Sequence, residues 1–154
     1  MAAYFLDTSG LVKRHVDEAG STWVRALTQP RAGNTIFLAR ITAVKVVSAI
    51  TRRQRGGSLS ISQASAILGH FRRHLAQRYH VLELTSSLLS DAGLLARKHG
   101  LRAYDAVQLA AMREVAELYR SAGLGRVILI SADRELNVAA EDEGLAVDNP
   151  NSHH

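Results

Sequence analysis

The chain has no cysteine among its 154 residues, which excludes disulfides and thiolate metal sites. That fits a reducing cytoplasm. No apolar run reaches the roughly 20 residues a membrane-spanning helix needs, so no membrane association is expected. The opening segment Met1-Ala2-Ala3-Tyr4-Phe5-Leu6-Asp7 lacks a basic region and meets an acid at once. It reads as a buried strand rather than a secretory leader. Internal repeats and low-complexity linkers are missing. So is a glycine-rich phosphate loop, because Gly56-Gly57 follows a helical segment and not a strand. No nucleophile elbow is present, and no acid is placed to orient Ser9 and His15 as a triad.

What the chain does have is enough apolar material for an unstapled core: 47% of residues are hydrophobic. The length suits one domain, expected over 1–148, with 149–154 as a loose tail whose two histidines receive no role. Short apolar runs alternate with longer stretches of helical period. Strands are expected at Tyr4–Leu6, Ile36–Leu38, Val81–Leu84, Val127–Ile130 and Ala146–Val147. Helices are expected over about 20–28, 42–55, 62–77, 86–99, 104–122 and 134–142. Such alternation implies right-handed crossovers and a mostly parallel sheet covered on both faces, an α/β three-layer sandwich. Gly56, Gly100 and Gly123 mark helix ends, and Ser60 or Ser62 can cap a helix start.

Three aspartates stand where this architecture places chemistry. Asp7 follows the first strand and Asp133 the fourth, so both should lie at the carboxyl edge of the sheet. Asp105 opens the long helix and can join them there. Singly, each has an ordinary reading: a strand-end turn, a helix-start charge meeting the macrodipole, and an N-cap. Together, converging carboxylates repel unless a cation joins them. All-oxygen ligands suit Mg²⁺ or Mn²⁺, and such an ion can activate water and stabilise a phosphodiester's developing charge.

The net charge of +5, from 19 basic and 14 acidic residues, favours a polyanionic partner, although solubility alone can explain it. Arg52, Arg53 and Arg55 form one basic cluster, and Arg72, Arg73, His74 and Arg78 another. Lys13, Arg14 and His15 can steer RNA to the acids or simply end a helix; Arg102 can bind phosphate or balance the acids. His70 and His74 share a helix face without an evident third ligand, so surface or RNA contact is preferred to zinc. Gln108, Leu109 and Met112 read as packing. Trp23 and Tyr119 read as core, with Trp23 alternatively an anchor for a partner helix.

The segments Leu6-Asp7-Thr8-Ser9, Ile41 to Ile50, Gly100 to Ala110 and Ser131 to Leu136 together resemble the PIN-domain family, in particular its VapC-type toxins. The resemblance covers nearly the whole chain. It implies an αβα sandwich, Mg²⁺-dependent endoribonuclease activity, homodimers or higher complexes, and inhibition by a small antitoxin. The family's acidic site maps onto Asp7, Asp105 and Asp133, with Thr8 or Ser131 as polar neighbours. Structured RNA such as transfer RNA is the substrate class the resemblance implies.

One position departs from the pattern: Lys45 stands where the family normally carries glutamate. If Thr42 begins the helix, a lysine in its first turn also opposes the macrodipole, at a cost of about 0.3–1 kcal/mol. Lys45 can be a solvated side chain, an inactivating change that lets a toxic nuclease be produced, or a natural retuning; the second is preferred. The expectation is that its amine takes part of the cation's place and pairs with Asp7 or Asp105. The ion is then bound weakly or not at all. The alternative reading is a catalytically silent module of the same fold that binds RNA or antitoxin. A phosphoryl-transfer domain is a further rival, disfavoured because Lys45 opens an early helix and position 9 is serine.

Overall fold

The computed structural model describes residues 1–154. In chain order its elements are β1 (Ala3–Leu6), α1 (Thr8–His15), α2 (Ser21–Thr28), a 3-10 turn (Pro30–Ala32), β2 (Thr35–Ala39), α3 (Arg40–Arg55) and α4 (Ile61–Gln77). There follow β3 (His80–Leu82), α5 (Ser86–His99), α6 (Ala103–Ser121), β4 (Val127–Ile130), α7 (Arg134–Asp142), β5 (Ala146–Asp148) and a second 3-10 turn (Pro150–Ser152). The strands form one sheet in the order β3-β2-β1-β4-β5, and every pairing is parallel. The expected αβα architecture is therefore present, with a fully rather than mostly parallel sheet.

Strand alternation divides the core in two. Phe5, Ala39 and Leu129 face the layer of α5, α6 and α7, where they meet Leu95, Leu109, Met112 and Leu136. Their neighbours Leu6, Leu38 and Ile130 face the opposite layer, where they meet Leu11, Val24, Val46, Ile50 and Phe71. With both sheet faces covered, consecutive strand residues are all apolar, which is why these runs were visible without polar alternation. Burying each of the larger of these side chains is worth about 1.5–3 kcal/mol.

The chain order also fixes where a crevice opens. From β1 the sheet grows outward through β2 and β3, then returns to the other side of β1 for β4 and β5. The connections leaving the carboxyl ends of β1 and β4 therefore diverge, and ligand sites of open parallel sheets form at that reversal.

Several expectations need correction. A short helix, α1, directly follows β1 where only a basic helix end had been read. Helix α3 begins at Arg40 with Ala39 at its N-cap, so Thr42 is not a cap and Lys45 lies in the second turn. The macrodipole conflict argued for Lys45 disappears. Thr42 is instead fully buried and accepts a hydrogen bond from Gln108 Nε2 at 2.7 Å. Strand β3 ends at Leu82, not Leu84, because Thr85 already caps α5 through Leu88 N. Of the two serines offered as caps, Ser60 rather than Ser62 caps α4, in a full capping box with Gln63. Beyond β5, Pro150 is buried and His153 stacks on Trp23 at 3.8 Å between ring centroids, so Trp23 has a partner within the chain. Tyr119 meets Phe37 edge-on.

Helix α1 presses against the end of β4 so closely that a Cβ on Gly10 would lie 2.6 Å from the Ile130 carbonyl oxygen. Both elements are pinned, since Asp7 N also donates to that oxygen at 3.3 Å. Gly10→Ala is therefore expected to destabilise the fold by about 1–3 kcal/mol, as overpacking does. Urea denaturation followed by circular dichroism measures it; an unchanged midpoint would show that α1 can retreat freely.

Candidate functional site

At the reversal point the two diverging loops are laced together by side chains. Asp7 ends β1 and caps α1: its Oδ1 accepts from Gly10 N at 3.0 Å and from Ser9 Oγ at 2.6 Å. Its Oδ2 accepts from Ser131 Oγ at 3.1 Å, across from β4. Ser131 Oγ in turn accepts from Asp133 N at 3.0 Å, and Ser9 Oγ accepts from Ala132 N at 2.9 Å. Asn137 Nδ2 holds the Ser131 carbonyl at 2.8 Å. Asp133 caps α7 through Leu136 N at 3.1 Å, so its ordinary N-cap reading holds alongside any other role.

The third acid arrives from α6, whose first turn carries Asp105. Asp7, Asp105 and Asp133 line one cleft of about 350 Å³, together with Thr8, Ser9, Lys13, Lys45, Arg52, Arg53, Arg102 and Tyr104. The three acids thus border one cleft, as the topology predicts, without meeting at a single point.

Electrostatically the cleft is strained in one direction. Burial pushes the Asp7 carboxyl from its ordinary 3.8 up to about 6, despite its three hydrogen-bond donors, and Asp133 adds repulsion. Asp105 is likewise raised, first by burial and then by Asp133, with only Lys45 and Arg102 favouring its charged form. A buried carboxylate with no cationic partner of its own is the setting in which a bound cation gains most.

Lys45 does not make the ion pair expected of it. Its Nζ sits 4.0 Å from the centroid of the Tyr104 ring, a cation–π contact, and acts on Asp105 through space. Tyr104 is itself fixed: its hydroxyl hydrogen-bonds Thr8 Oγ1 and accepts from Gln108 Nε2 at 2.5 Å. Burial raises that hydroxyl to about 12, so it stays protonated.

Other predicted contacts divide. Arg102 is exposed at the rim. Lys13 lines the cleft but is buried, 3.8 Å from Glu18 Oε1. Arg14 points away, donating to Thr28 Oγ1 at 2.7 Å and to His74 Nδ1 at 3.3 Å. His70 and His74 do share a face, and His15 from α1 joins them, 5.6 Å from His70 between ring centroids. Burial and neighbouring cations lower His15 to about 3 and His74 to about 4, so this group packs as neutral rings. Tyr104 and Glu18 are the residues that sequence reasoning missed. Their roles depend on contacts between segments about 96 and 5 positions apart, of which only the second is local.

As they stand, no three acidic or histidine side chains converge on a single ion position. The donor chemistry nonetheless suits a hard divalent ion: the acids offer only oxygen, and one of them is buried without a countercharge.

The raised Asp7 carboxyl links stability to pH. Between its ordinary 3.8 and about 6, the folded chain holds a proton that the unfolded chain has released. Stability therefore falls as pH rises through that window and stays lower above it. Asp7→Asn removes the effect and is expected to be more stable than the parent by up to about 3 kcal/mol at neutral pH. The gap should close near the lower end of the window. Thermal melts of both proteins across pH measure this, and parallel curves would contradict the buried charge.

Comparison with known proteins agrees with this geometry. The sheet and helices superpose on a protein from Pyrobaculum aerophilum with a TM-score of 0.64 at 20% identity, covering 98% of this chain and 91% of that one. A toxin–antitoxin complex from Klebsiella pneumoniae gives 0.61 at 17% identity, covering 96% and 98%. VapBC2 from Rickettsia felis, bound to a promoter DNA fragment, gives 0.61 at 16% identity with the same coverage. No curated protein sequence matches the chain. The family model described as "PIN domain" matches residues 4–142, spanning all three acids and the strands that place them; the chain belongs to the PIN-domain family.

Proposed function

We propose that this chain is a metal-dependent endoribonuclease of the toxin kind, paired with a small antitoxin protein, with activity lowered by Lys45. The observation that carries the reading is the meeting of Asp7, Asp105 and Asp133 in one cleft at the strand-order reversal, with cations on its rim. The toxin–antitoxin complexes among the structural relatives support the partner. The family match removes the phosphoryl-transfer rival. A homodimer or higher complex and a cytoplasmic setting complete the proposal; no helix is long and apolar enough to cross a membrane. A single PIN-like domain is read over residues 1–148, of which the family model matches 4–142.

In this reading Asp7, Asp105 and Asp133 would hold Mg²⁺ or Mn²⁺. A bound ion of this type lowers the pKa of an attached water and offsets charge on a phosphodiester. The chain's own residues do the rest. Ser9, Gly10 and Ser131 orient Asp7 so that both its oxygens stay on the cleft side of β1. Thr8 is held by the Tyr104 hydroxyl, which accepts from Gln108, whose amide also donates to Thr42. Arg102 and Arg52, on the rim, would grip the RNA backbone. Unpaired bases of a structured RNA would then be the accessible target.

Lys45 sets the activity. Its ammonium lines the same cleft as the carboxylates and acts on Asp105 through space, so it would compete with a divalent ion held there. Lys45→Glu is expected to tighten Mg²⁺ binding by about 10- to 100-fold in calorimetric titration. It should also raise cleavage of a folded RNA by a similar factor. Equal affinities would refute the competition.

The second reading, a silent RNA- or antitoxin-binding module, is favoured by the same lysine. Cleavage separates the two. In the Lys45→Glu background, Asp7→Ala and Asp105→Ala are each expected to lower cutting by at least about 100-fold. If Lys45→Glu itself cuts nothing, the module reading stands.

A further inference from the structure

The face of α3 that borders the cleft is not acidic. Lys45, Ser48, Ala49, Arg52 and Arg53 all line it, at the spacing that puts residues on one side of a helix. Lys45, Ser48 and Arg52 are exposed. Glu18 takes up two other cations of the cleft, lying 3.8 Å from Lys13 and 3.6 Å from Arg53. Lys45, Arg52 and Arg102, by contrast, have no carboxylate within the 4.0 Å of an ion pair. They oppose the three aspartates, and with Lys13 and Arg53 sharing the single charge of Glu18 the lining holds five cations against four acids, a slight positive excess without any added ion.

An acidic cleft repels a phosphate until a divalent cation neutralises it. One with a slight positive excess, its free cations ranked along one helix, does not. Lys45 and Arg52 are separated by about 10 Å along the axis, far enough to meet different phosphates of one strand. The aromatic ring of Tyr104 holds the root of this track, fixing Lys45 at its acid end.

We propose that Lys45, Ser48 and Arg52 form a phosphate track on α3 that binds the backbone of an RNA strand without a divalent ion. This rests on the RNA reading above and gives Lys45 a positive role: it trades metal-assisted cutting for metal-independent holding. Ser48 donates a hydrogen bond to a phosphate oxygen between the two cations. Arg102, across the cleft, bounds the strand on the other side.

Fluorescence anisotropy of a labelled single-stranded RNA, titrated in EDTA over a range of salt, tests the track. The parent protein is expected to bind, with a linear salt dependence. Arg52→Ala should reduce the slope by about 0.7, the value for one phosphate contact on a single strand. Lys45→Gln should do the same. Lys45→Glu should weaken binding about tenfold or more while, with Mg²⁺ added, recovering it. Arg126→Ala, at the opposite end of β4, should change nothing. Binding that requires Mg²⁺ in the parent, or EDTA binding indifferent to Lys45→Gln and Arg52→Ala, overturns the track and leaves the nuclease reading in place. No RNA binding under either condition overturns both.

Discussion

Asp7 is the residue on which the site depends, because it is a carboxylate placed at the centre of a fully covered sheet. It has almost no exposure to water, and its charge is supported only by the donors of Ser9, Gly10 and Ser131. Those donors come from both sides of the strand-order reversal, so the same contacts that make Asp7 tolerable also tie α1 to the end of β4. The close approach of Gly10 to Ile130 is the packing counterpart of this lacing. The fold spends stability here, which is characteristic of sites organised for chemistry rather than for packing.

The strands and their order of layers were legible because a parallel sheet covered on both faces must be written in apolar runs, such as Val127–Ile130. The placement of Asp7 and Asp133 was legible for the same reason: an acid at the end of such a run is at the sheet's carboxyl edge. Helix α1 was less visible. It is short, starts with Thr8-Ser9-Gly10 and borrows its N-cap from the site aspartate, so it shows no independent start signal. The true start of α3 was hidden because Ala39 caps without a side chain, whereas Thr42 looks like a cap and is used instead to hold Gln108 inside the core. Side-chain pairing across segments is not encoded in period or propensity. The contact of Tyr104 with both Thr8 and Lys45 had no local signature.

The basic residues sort in a way that composition cannot show. Arg14 lies on the same helix as Lys13 but is turned to α2 and α4, where it meets Thr28 and His74. Burial first, and then the charge of Arg14 and its neighbours, keeps the packed histidines neutral. On the other side of the helix, Lys13 and Arg53 share the single carboxylate of Glu18. What remains unpaired toward the cleft is a small part of the chain's surplus charge, located where a polyanion would meet the acids.

Position 45 shows how the charge of the cleft is separable from the fold. The side chain is exposed and projects from the second turn of α3, while Val46 and Ile50 of the same helix carry the burial. Exchange of a carboxylate for an ammonium there removes no core contact, and the aliphatic stem and charge find a place against the Tyr104 ring. The match over residues 4–142 spans both the apolar framework and the three aspartates it positions. The sign of the charge facing them is set by one solvent-side residue that the framework does not constrain, so the electrostatics of the cleft can change while the fold remains the same.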